Sequence, residues 1–319
     1  MSTSPISLPC LAFHSVVDRS TILFSASEKK PIGGRDIGQL ENMTICPTTH
    51  GFMLARDPTT LATFLWCTQS RAKIELPPLG LEVDDDLLVD CTCLLSCKPT
   101  APDCVVLLVE PDSPFIWYCC AGDSKWEEHE YDIGTQALPD WEPPEEKVVI
   151  CPIAACRGKF YFNGTPTSLG VIDFCGVSPV FGSITIDDTM DEKYGYEDVW
   201  AKDFMLESDD ELYMLRLLSA GVSKPYSGAT VLRMDFLKRR WRRVDDLGGR
   251  TFLLSQYEFG ATCQGGECNL QQDCIYFADS PRRKSLQIFS VKDGSAELQK
   301  LDEAPAADKA FWMINRVAR

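Results

Sequence analysis

The feature of this sequence that most constrains its fold is a set of short apolar strands that recurs at intervals of roughly fifty residues. The units open near residues 51, 104, 159, 211 and 274, so the successive steps are 53, 55, 52 and 63 residues long. Most units contain two apolar strands and a third in which a Trp or an aliphatic residue stands among charges. A repeat of this length with about four strands per unit is typical of the blades of a β-propeller.

The unit that opens at residue 211 shows the pattern clearly, with strands predicted over residues 211–215, 229–236 and 240–244. Short runs rich in β-branched and aromatic residues, bounded by turn residues, indicate antiparallel β-structure. One such sheet cannot bury both of its faces. Several sheets packed radially around an axis bury both and leave only short edges exposed.

The two ends of the chain supply strands for one more blade. Residues 11–13 and 21–25 read as strands at the N-terminus, and residues 310–314 as one at the C-terminus. We therefore predict an all-β chain in which residues 1–319 form a single β-propeller of about six four-stranded blades, closed by N- and C-terminal strands. Five or seven blades also fit the spacing. A pair of β-sandwiches is the alternative fold, and the regular step weighs against it.

Two longer connections lie between the predicted strands. Residues 188–202 are charged and contain three aromatic residues, and we expect them to form an inter-blade loop with a helical turn. Residues 139–146 are polar and rich in proline, which predicts another loop. Neither is long enough for a domain linker.

Charge and hydropathy narrow the possible partners and compartments. The chain has 31 Lys plus Arg against 47 Asp plus Glu, a net charge of −16. Such a surface repels phosphate backbones and anionic lipids, which disfavours nucleic-acid and membrane binding. We see neither a long apolar span nor a secretory signal, so we expect a cytoplasmic or nuclear protein whose 15 cysteines are reduced.

The cysteine spacings do not build a convincing metal site. They are Cys91, Cys93 and Cys97 in one group, and Cys263, Cys268 and Cys274 in another. Structural zinc needs four ligands, usually in paired knuckles, and the three histidines of the chain are scattered. Buried thiols are the favoured interpretation, with zinc and redox sensing as alternatives. We predict no cofactor and no metal.

Three charged or glycine-rich motifs have structural interpretations. Residues 247–250, Leu-Gly-Gly-Arg, lack the Lys-Ser/Thr of a phosphate loop and read as a turn from an outer strand to the next inner strand. We interpret the paired acidic residues, such as residues 209–210, as charged side chains in solvent-exposed loops. We interpret the basic runs 238–243 and 282–284 as charged residues of turns and outer strands, and we expect Trp241 to pack between blades. A docking patch for an acidic or phosphorylated partner is the alternative.

One stretch resembles a known family. Residues 241–255, Trp-Arg-Arg-Val-Asp-Asp-Leu-Gly-Gly-Arg-Thr-Phe-Leu-Leu-Ser, resemble the "W..V.dLGGR.fFlS" signature of the F-box-associated KIB-type β-propeller domain of plants. Residues 265–279 and 63–79 are similar to two further segments of that family. The resemblance covers roughly residues 8–315 and is strongest over residues 241–279.

The resemblance implies a role in recruiting proteins. Members often carry an F-box before the propeller, which docks onto the Skp1-type adaptor of a ubiquitin ligase while the propeller recruits a substrate protein. Here propeller strands are predicted from about Leu11, so we expect no F-box and no Skp1-type adaptor. We therefore predict a non-enzymatic protein-interaction module with an unidentified protein partner. A decayed F-box paralogue without a ligase role and a hydrolase in the central channel are the alternatives.

Aromatic residues in the predicted loops are the candidate partner-binding residues. Aromatic and Arg side chains supply most of the affinity at protein interfaces. The candidates are Tyr194, Tyr196, Trp200, Tyr226 and Tyr257.

Overall fold

Antiparallel strands dominate the computed structural model of the chain. It describes residues 8–32, 37–80, 85–137, 145–176, 178–187, 200–221, 224–256, 259–266 and 268–315. In this described part the only α-helix is α1 (Asp85–Asp90), and no helix is long and apolar enough to cross a membrane. The predicted all-β class is confirmed.

The strands form six radial sheets, which we number as blades I to VI. Blades I and II contain β1 (Cys10–Ser15), β2 (Ser20–Ser25), β3 (Lys30–Pro31), β4 (Thr44–Pro47), β5 (Phe52–Arg56), β6 (Thr63–Cys67) and β7 (Lys73–Leu76). Blade III contains β8 (Thr92–Leu95), β9 (Val105–Val109), β10 (Phe115–Cys120) and β11 (Glu127–Glu130). A small hairpin, β12 (Thr135–Ala137) and β13 (Glu145–Lys147), follows blade III.

The second half of the ring continues the same plan. Blade IV contains β14 (Ile153–Cys156), β15 (Lys159–Phe162), β16 (Ser168–Asp173) and β17 (Val180–Thr185). Blade V contains β18 (Trp200–Ser208), β19 (Glu211–Ser219), β20 (Gly228–Asp235) and β21 (Arg240–Val244). Blade VI contains β22 (Arg250–Ser255), β23 (Gly260–Gln264), β24 (Cys274–Ala278), β25 (Ser285–Ser290) and β26 (Ala296–Lys300). The last strand, β27 (Lys309–Met313), returns to blade I.

The ring closes through blade I, which combines both ends of the chain. Its order is β27-β1-β2-β3, with Leu11 paired to Trp312 in an antiparallel register. The predicted closure of a six-bladed propeller by N- and C-terminal strands is thus confirmed. The strands predicted in each repeat correspond to the second, third and outer strands of blades II to VI, whereas the innermost strands of blades II to V had escaped prediction.

Blade VI departs from the four-stranded plan. Its order is β23-β22-β24-β25-β26, and β22 pairs in parallel with β24, with Phe252 opposite Ile275. The innermost strand is β23, so β22 is an extra strand inserted between the first and second positions. The turn at residues 247–250 therefore leads from the outer strand of blade V to the second strand of blade VI. The turn thus leads from an outer strand to a strand on the inner side of the next blade, as predicted, but the inserted position of β22 and its parallel pairing with β24 were not predicted, because pairing of distant strands leaves no local sequence signal.

The core lies in the seams between neighbouring blades, where each sheet buries one face against the next. The seam between blades IV and V holds Tyr161, Met214 and Trp241, all buried. The indole Nε1 of Trp241 also donates a hydrogen bond to the carbonyl oxygen of Thr165, at 3.1 Å. The prediction that Trp241 packs between blades is confirmed.

The innermost strands all run in one direction, which defines two faces of the ring. We call the face where these strands begin the start face and the face where they end the end face. In blade V, β18 and β19 pair over nine residues, from Trp200–Ser219 to Ser208–Glu211. The innermost strands of the other blades have four or five residues.

Two predicted loops are corrected in part. Residues 200–202 belong to β18, so the predicted loop at 188–202 does not include them; residues 188–199 lie outside the described residues. Residues 145–146 belong to β13 rather than to a loop, and residues 139–144 also lie outside the described part.

Candidate partner-binding surfaces

A central cavity of about 390 Å³ opens at the end face, where the innermost strands terminate. Every blade contributes to its wall, because each innermost strand or the turn after it ends there. The lining residues include Thr49 and His50 of blade II, 96–98 of blade III, 155–158 of blade IV, 207–210 of blade V, Arg250 and 260–264 of blade VI, and Ile314 of blade I.

The two arginines of this cavity are paired with groups of the same chain. Arg250 donates through Nε to the carbonyl oxygen of Leu247 at 2.9 Å and through Nη1 to Ser208 Oγ at 3.0 Å, and it forms an ion pair with Asp209. Arg157 donates to the carbonyl oxygen of Asp210 at 2.7 Å. These contacts connect blades IV, V and VI, so the polar groups of the end face primarily join the blades.

Arg157 and Asp209 lie in tight turns, and the residue types that favour such turns are present in the sequence at these positions. Arg157 and Gly158 have φ values of 52° and 77°, and Asp209 and Asp210 have values of 57° and 60°. Each pair forms the two-residue connection of a hairpin, a geometry that favours Gly and Asp because φ is positive at both positions. Sequence analysis had interpreted residues 209–210 only as solvated loop charge.

The thiols are mostly buried, as predicted. Ten of the 15 cysteines are buried, and Cys175 is the one that is exposed. Burial raises the pKa of Cys104 and of Cys156 to about 12, which keeps these thiols protonated near neutral pH. Among the described residues, no group of three or more His, Cys, Asp or Glu side chains has an arrangement that could hold a metal ion.

A buried cationic side chain lies near the start of β27. Lys309 is 1% exposed and is paired in register with His14 of β1. Burial lowers the pKa of Lys309. Burial, together with the charge of Lys309, lowers the pKa of His14 to about 4, so this imidazole is neutral at physiological pH.

The start face of blade V carries two of the predicted partner-binding residues. Trp200, the first residue of β18, is 59% exposed. Tyr226 is half-buried in the turn before β20, where its backbone N–H donates to Gln287 Oε1 at 2.9 Å and its ring packs edge-on against Phe277. Trp200 is therefore presented to solvent, whereas Tyr226 mainly anchors a turn to blade VI. The other three candidates, Tyr194, Tyr196 and Tyr257, lie outside the described residues.

The strands below Trp200 are held by a cross-strand ion pair. Arg216 donates to both carboxylate oxygens of Asp203, with Nε–Oδ1 and Nη2–Oδ2 distances of 2.7 Å. The two residues are directly opposite each other in the β18–β19 ladder. A bidentate guanidinium–carboxylate pair fixes geometry as well as adding energy, so it stiffens the strands that present the indole.

Comparison with known proteins identifies one family and several similar folds. The family model described as KIB1-4 beta-propeller matches residues 23–292. No curated protein matches the sequence. Solved structures with a similar fold include a functionally unknown protein from Desulfotomaculum acetoxidans DSM 771, at 9% identity and a TM-score of 0.41, covering 91% of this chain and 99% of that chain.

Two further solved structures have similar coverage. One is the Cps50 (Swd1) β-propeller domain of Myceliophteria thermophila, at 10% identity and a TM-score of 0.39, covering 94% of this chain and 88% of that chain. The other is a catalytically inactive virginiamycin B lyase from Staphylococcus aureus, at 9% identity and a TM-score of 0.38, covering 98% of this chain and 97% of that chain. Likeness at this level does not bear on function.

Proposed function

The chain belongs to the KIB1-4 β-propeller family, and we propose that it is a non-enzymatic module that holds another protein at the start face of blade V. The observation that supports this proposal best is the exposure of Trp200 at the end of the longest hairpin of the ring. Tryptophan is among the residues most enriched at the energetic centres of protein interfaces.

The position of Trp200 favours binding over a purely structural role. An indole that is 59% exposed leaves much of its apolar surface in water, and a partner that covers it recovers that free energy. The nine-residue ladder and the Asp203–Arg216 pair hold the strand that carries it. A rigid anchor loses little conformational entropy on binding, which raises the affinity that the same contact area provides.

The resemblance to F-box-associated propellers suggests what kind of protein is held. In that family the propeller recruits the substrate of a ubiquitin ligase, and we propose that this propeller likewise recruits a protein. We propose that the propeller itself does not bind a Skp1-type adaptor, so delivery to a ligase is not part of the proposal.

The test compares two exposed apolar residues on opposite faces of blade V. Leu237 is 97% exposed in the turn between β20 and β21, at the end face. Wild-type protein, Trp200→Ala and Leu237→Ala are each used for affinity co-purification with quantitative mass spectrometry, and binding to the recovered protein is then measured with purified components. We expect Trp200→Ala to weaken binding at least about tenfold and Leu237→Ala to leave it unchanged.

Two results would count against the proposal. If both variants bind the partner as tightly as wild type, Trp200 is not the anchor and the start face of blade V is not the binding surface. If a Skp1-type adaptor binds the purified chain directly, the expectation of a propeller without a ligase link is wrong.

A further inference from the structure

We propose that β17, the outermost strand of blade IV, pairs in an antiparallel manner with β17 of a second copy of this chain, across a two-fold axis at Ser183. The inference goes beyond the proposed function, because it concerns a different surface from that of Trp200 and names a second copy of the chain as the occupant.

The strand β17 differs from the other outer strands of the ring in having neither a charged residue nor a proline. Its sequence is Val-Phe-Gly-Ser-Ile-Thr. The outer strands of blades II, III, V and VI are Lys-Ile-Glu-Leu, Glu-Glu-His-Glu, Arg-Trp-Arg-Arg-Val and Ala-Glu-Leu-Gln-Lys, and that of blade I is Lys-Pro. Charged residues and proline on an edge strand prevent it from pairing with another chain. In β17 this protection is missing.

Alternate residues of β17 direct their backbone groups away from the sheet. The N–H of Ile186 donates to the carbonyl oxygen of Thr167 at 2.9 Å, so the even-numbered residues of this segment bond to β16. Phe181, Ser183 and Thr185 therefore point their N–H and C=O groups outward. No strand of the described part of the chain pairs with this edge, since β17 is the last strand of its sheet.

The open edge is limited to the length of β17 itself. Beyond it, the N–H of Asp187 donates to the carbonyl oxygen of Arg239 at 2.8 Å, and the two side chains form an ion pair at 3.0 Å. The turn before β21 thus covers the edge after Thr185. At the other end, Pro179 precedes the strand and has no N–H to donate. An antiparallel strand of the same length fits this edge.

A second copy of β17 is complementary to the first. With the two-fold axis at Ser183, this residue faces its own copy, and Phe181 faces Thr185 of the second copy in two equivalent pairs. The three outward-pointing pairs exchange about six backbone hydrogen bonds. Aromatic side chains opposite β-branched ones, and hydroxyl groups opposite each other, stabilise neighbouring strands.

Exposure and charge also favour this contact between copies. Gly182, Ser183 and Thr185 are exposed, and Val180 is 57% exposed, so a second strand can reach the edge. Each copy has a net charge of −16, and copies of the chain therefore repel each other. An uncharged strand lets them meet without opposing like charges directly.

The first experiment measures the oligomeric state of the full chain by sedimentation velocity over a concentration series at physiological salt. We expect a monomer–dimer equilibrium for wild type. Ser183→Lys should raise the dimer dissociation constant at least about tenfold, because it places two lysines directly opposite each other. Ala296→Lys introduces the same charge at an exposed position of β26 and should leave the constant unchanged. Thermal unfolding checks that both variants are folded.

A cross-linking experiment locates the two-fold axis and does not depend on the lysine variant. It uses a Cys175→Ser background, which removes the exposed cysteine. In this background, Ser183→Cys should form a disulfide-linked dimer when diamide takes up the hydrogens of the two facing thiols. Ala296→Cys in the same background should remain unlinked.

Two results would overturn the proposal. One is a monomer at every concentration, even if a strand from another protein binds β17. The other is a dimer that Ser183→Lys does not weaken and Ser183→Cys does not link. Because Trp200→Ala should leave dimerisation unchanged, failure of this inference is distinguishable from failure of the proposed function.

Discussion

The seam between blades IV and V and the solvent-facing surface of blade V use the same kinds of side chain for different purposes. In the seam, Trp241 is 4% exposed and hydrogen-bonded to Thr165. At the start face, Trp200 is 59% exposed. Arg250 belongs with the residues of the seam, since it is paired within the fold. Groups whose interactions are completed inside the chain support stability, and those left incomplete are available to partners.

The largest expected effect is the difference in the free energy of unfolding between Trp241→Ala and Trp200→Ala. Trp241→Ala should lower the free energy of unfolding by about 3–5 kcal/mol, because it leaves a large cavity and an unpaired carbonyl oxygen in the seam. Trp200→Ala should change it by less than about 0.5 kcal/mol. Urea unfolding of both variants checks this, and similar losses would show that the start-face indole is structural after all.

A second, smaller difference in the free energy of unfolding is expected between Arg250→Ala and Arg233→Ala. Arg250→Ala should lower the free energy of unfolding by about 2–3 kcal/mol, since it removes a charged donor from Leu247 and Ser208 and leaves Asp209 without its ion pair. Arg233→Ala should be close to neutral, within about 0.5 kcal/mol. Chemical unfolding at constant salt measures both, and equal losses in the two variants would show that the Arg250 contacts add no more stability than an exposed arginine does.

The third prediction concerns pH and the buried start of β27. The pKa of His14 is about 4 in the folded protein and 6.5 in the unfolded chain, so the unfolded chain binds more protons between these values. Stability is therefore fully present above pH 6.5 and falls as the pH drops toward 4. Between pH 7 and pH 5 this histidine should cost about 2 kcal/mol.

The matched variant for the pH effect is His14→Gln, which has no titrating ring. The difference in unfolding free energy between wild type and His14→Gln should shrink by that amount as the pH falls from 7 to 5. A pH-independent difference would mean that His14 has the same pKa in the folded protein as in the unfolded chain, contrary to its burial beside Lys309.

Much of the ring was predictable because most blade strands combine apolar residues with clear turn signals. The innermost strands were not, because β4, β8 and β14 have four residues each and contain Pro, Cys or Ala instead of an alternating pattern. The strand after residues 247–250 was predicted, but its parallel pairing with β24 was not, because tertiary packing selects that partner.

The candidate surfaces were predictable only in part, for a similar reason. Trp200 was identified as a partner-binding residue but was expected in a loop rather than at the start of a strand. The basic run at residues 238–243 was visible in the sequence. The pairing of Arg233 opposite Arg242 depends on the register between β20 and β21, which no local pattern specifies.

The pairing of β27 with β1 has a consequence for synthesis in the cell. During translation, β1 is made before its partner, because the strand that covers it lies about 300 residues later, at Lys309–Met313. Until those residues emerge, blade I has an unprotected inner edge, and the buried side chains of β1 lack part of their packing. The circular assembly can therefore become complete only after β27 has been synthesised, however early the other blades fold.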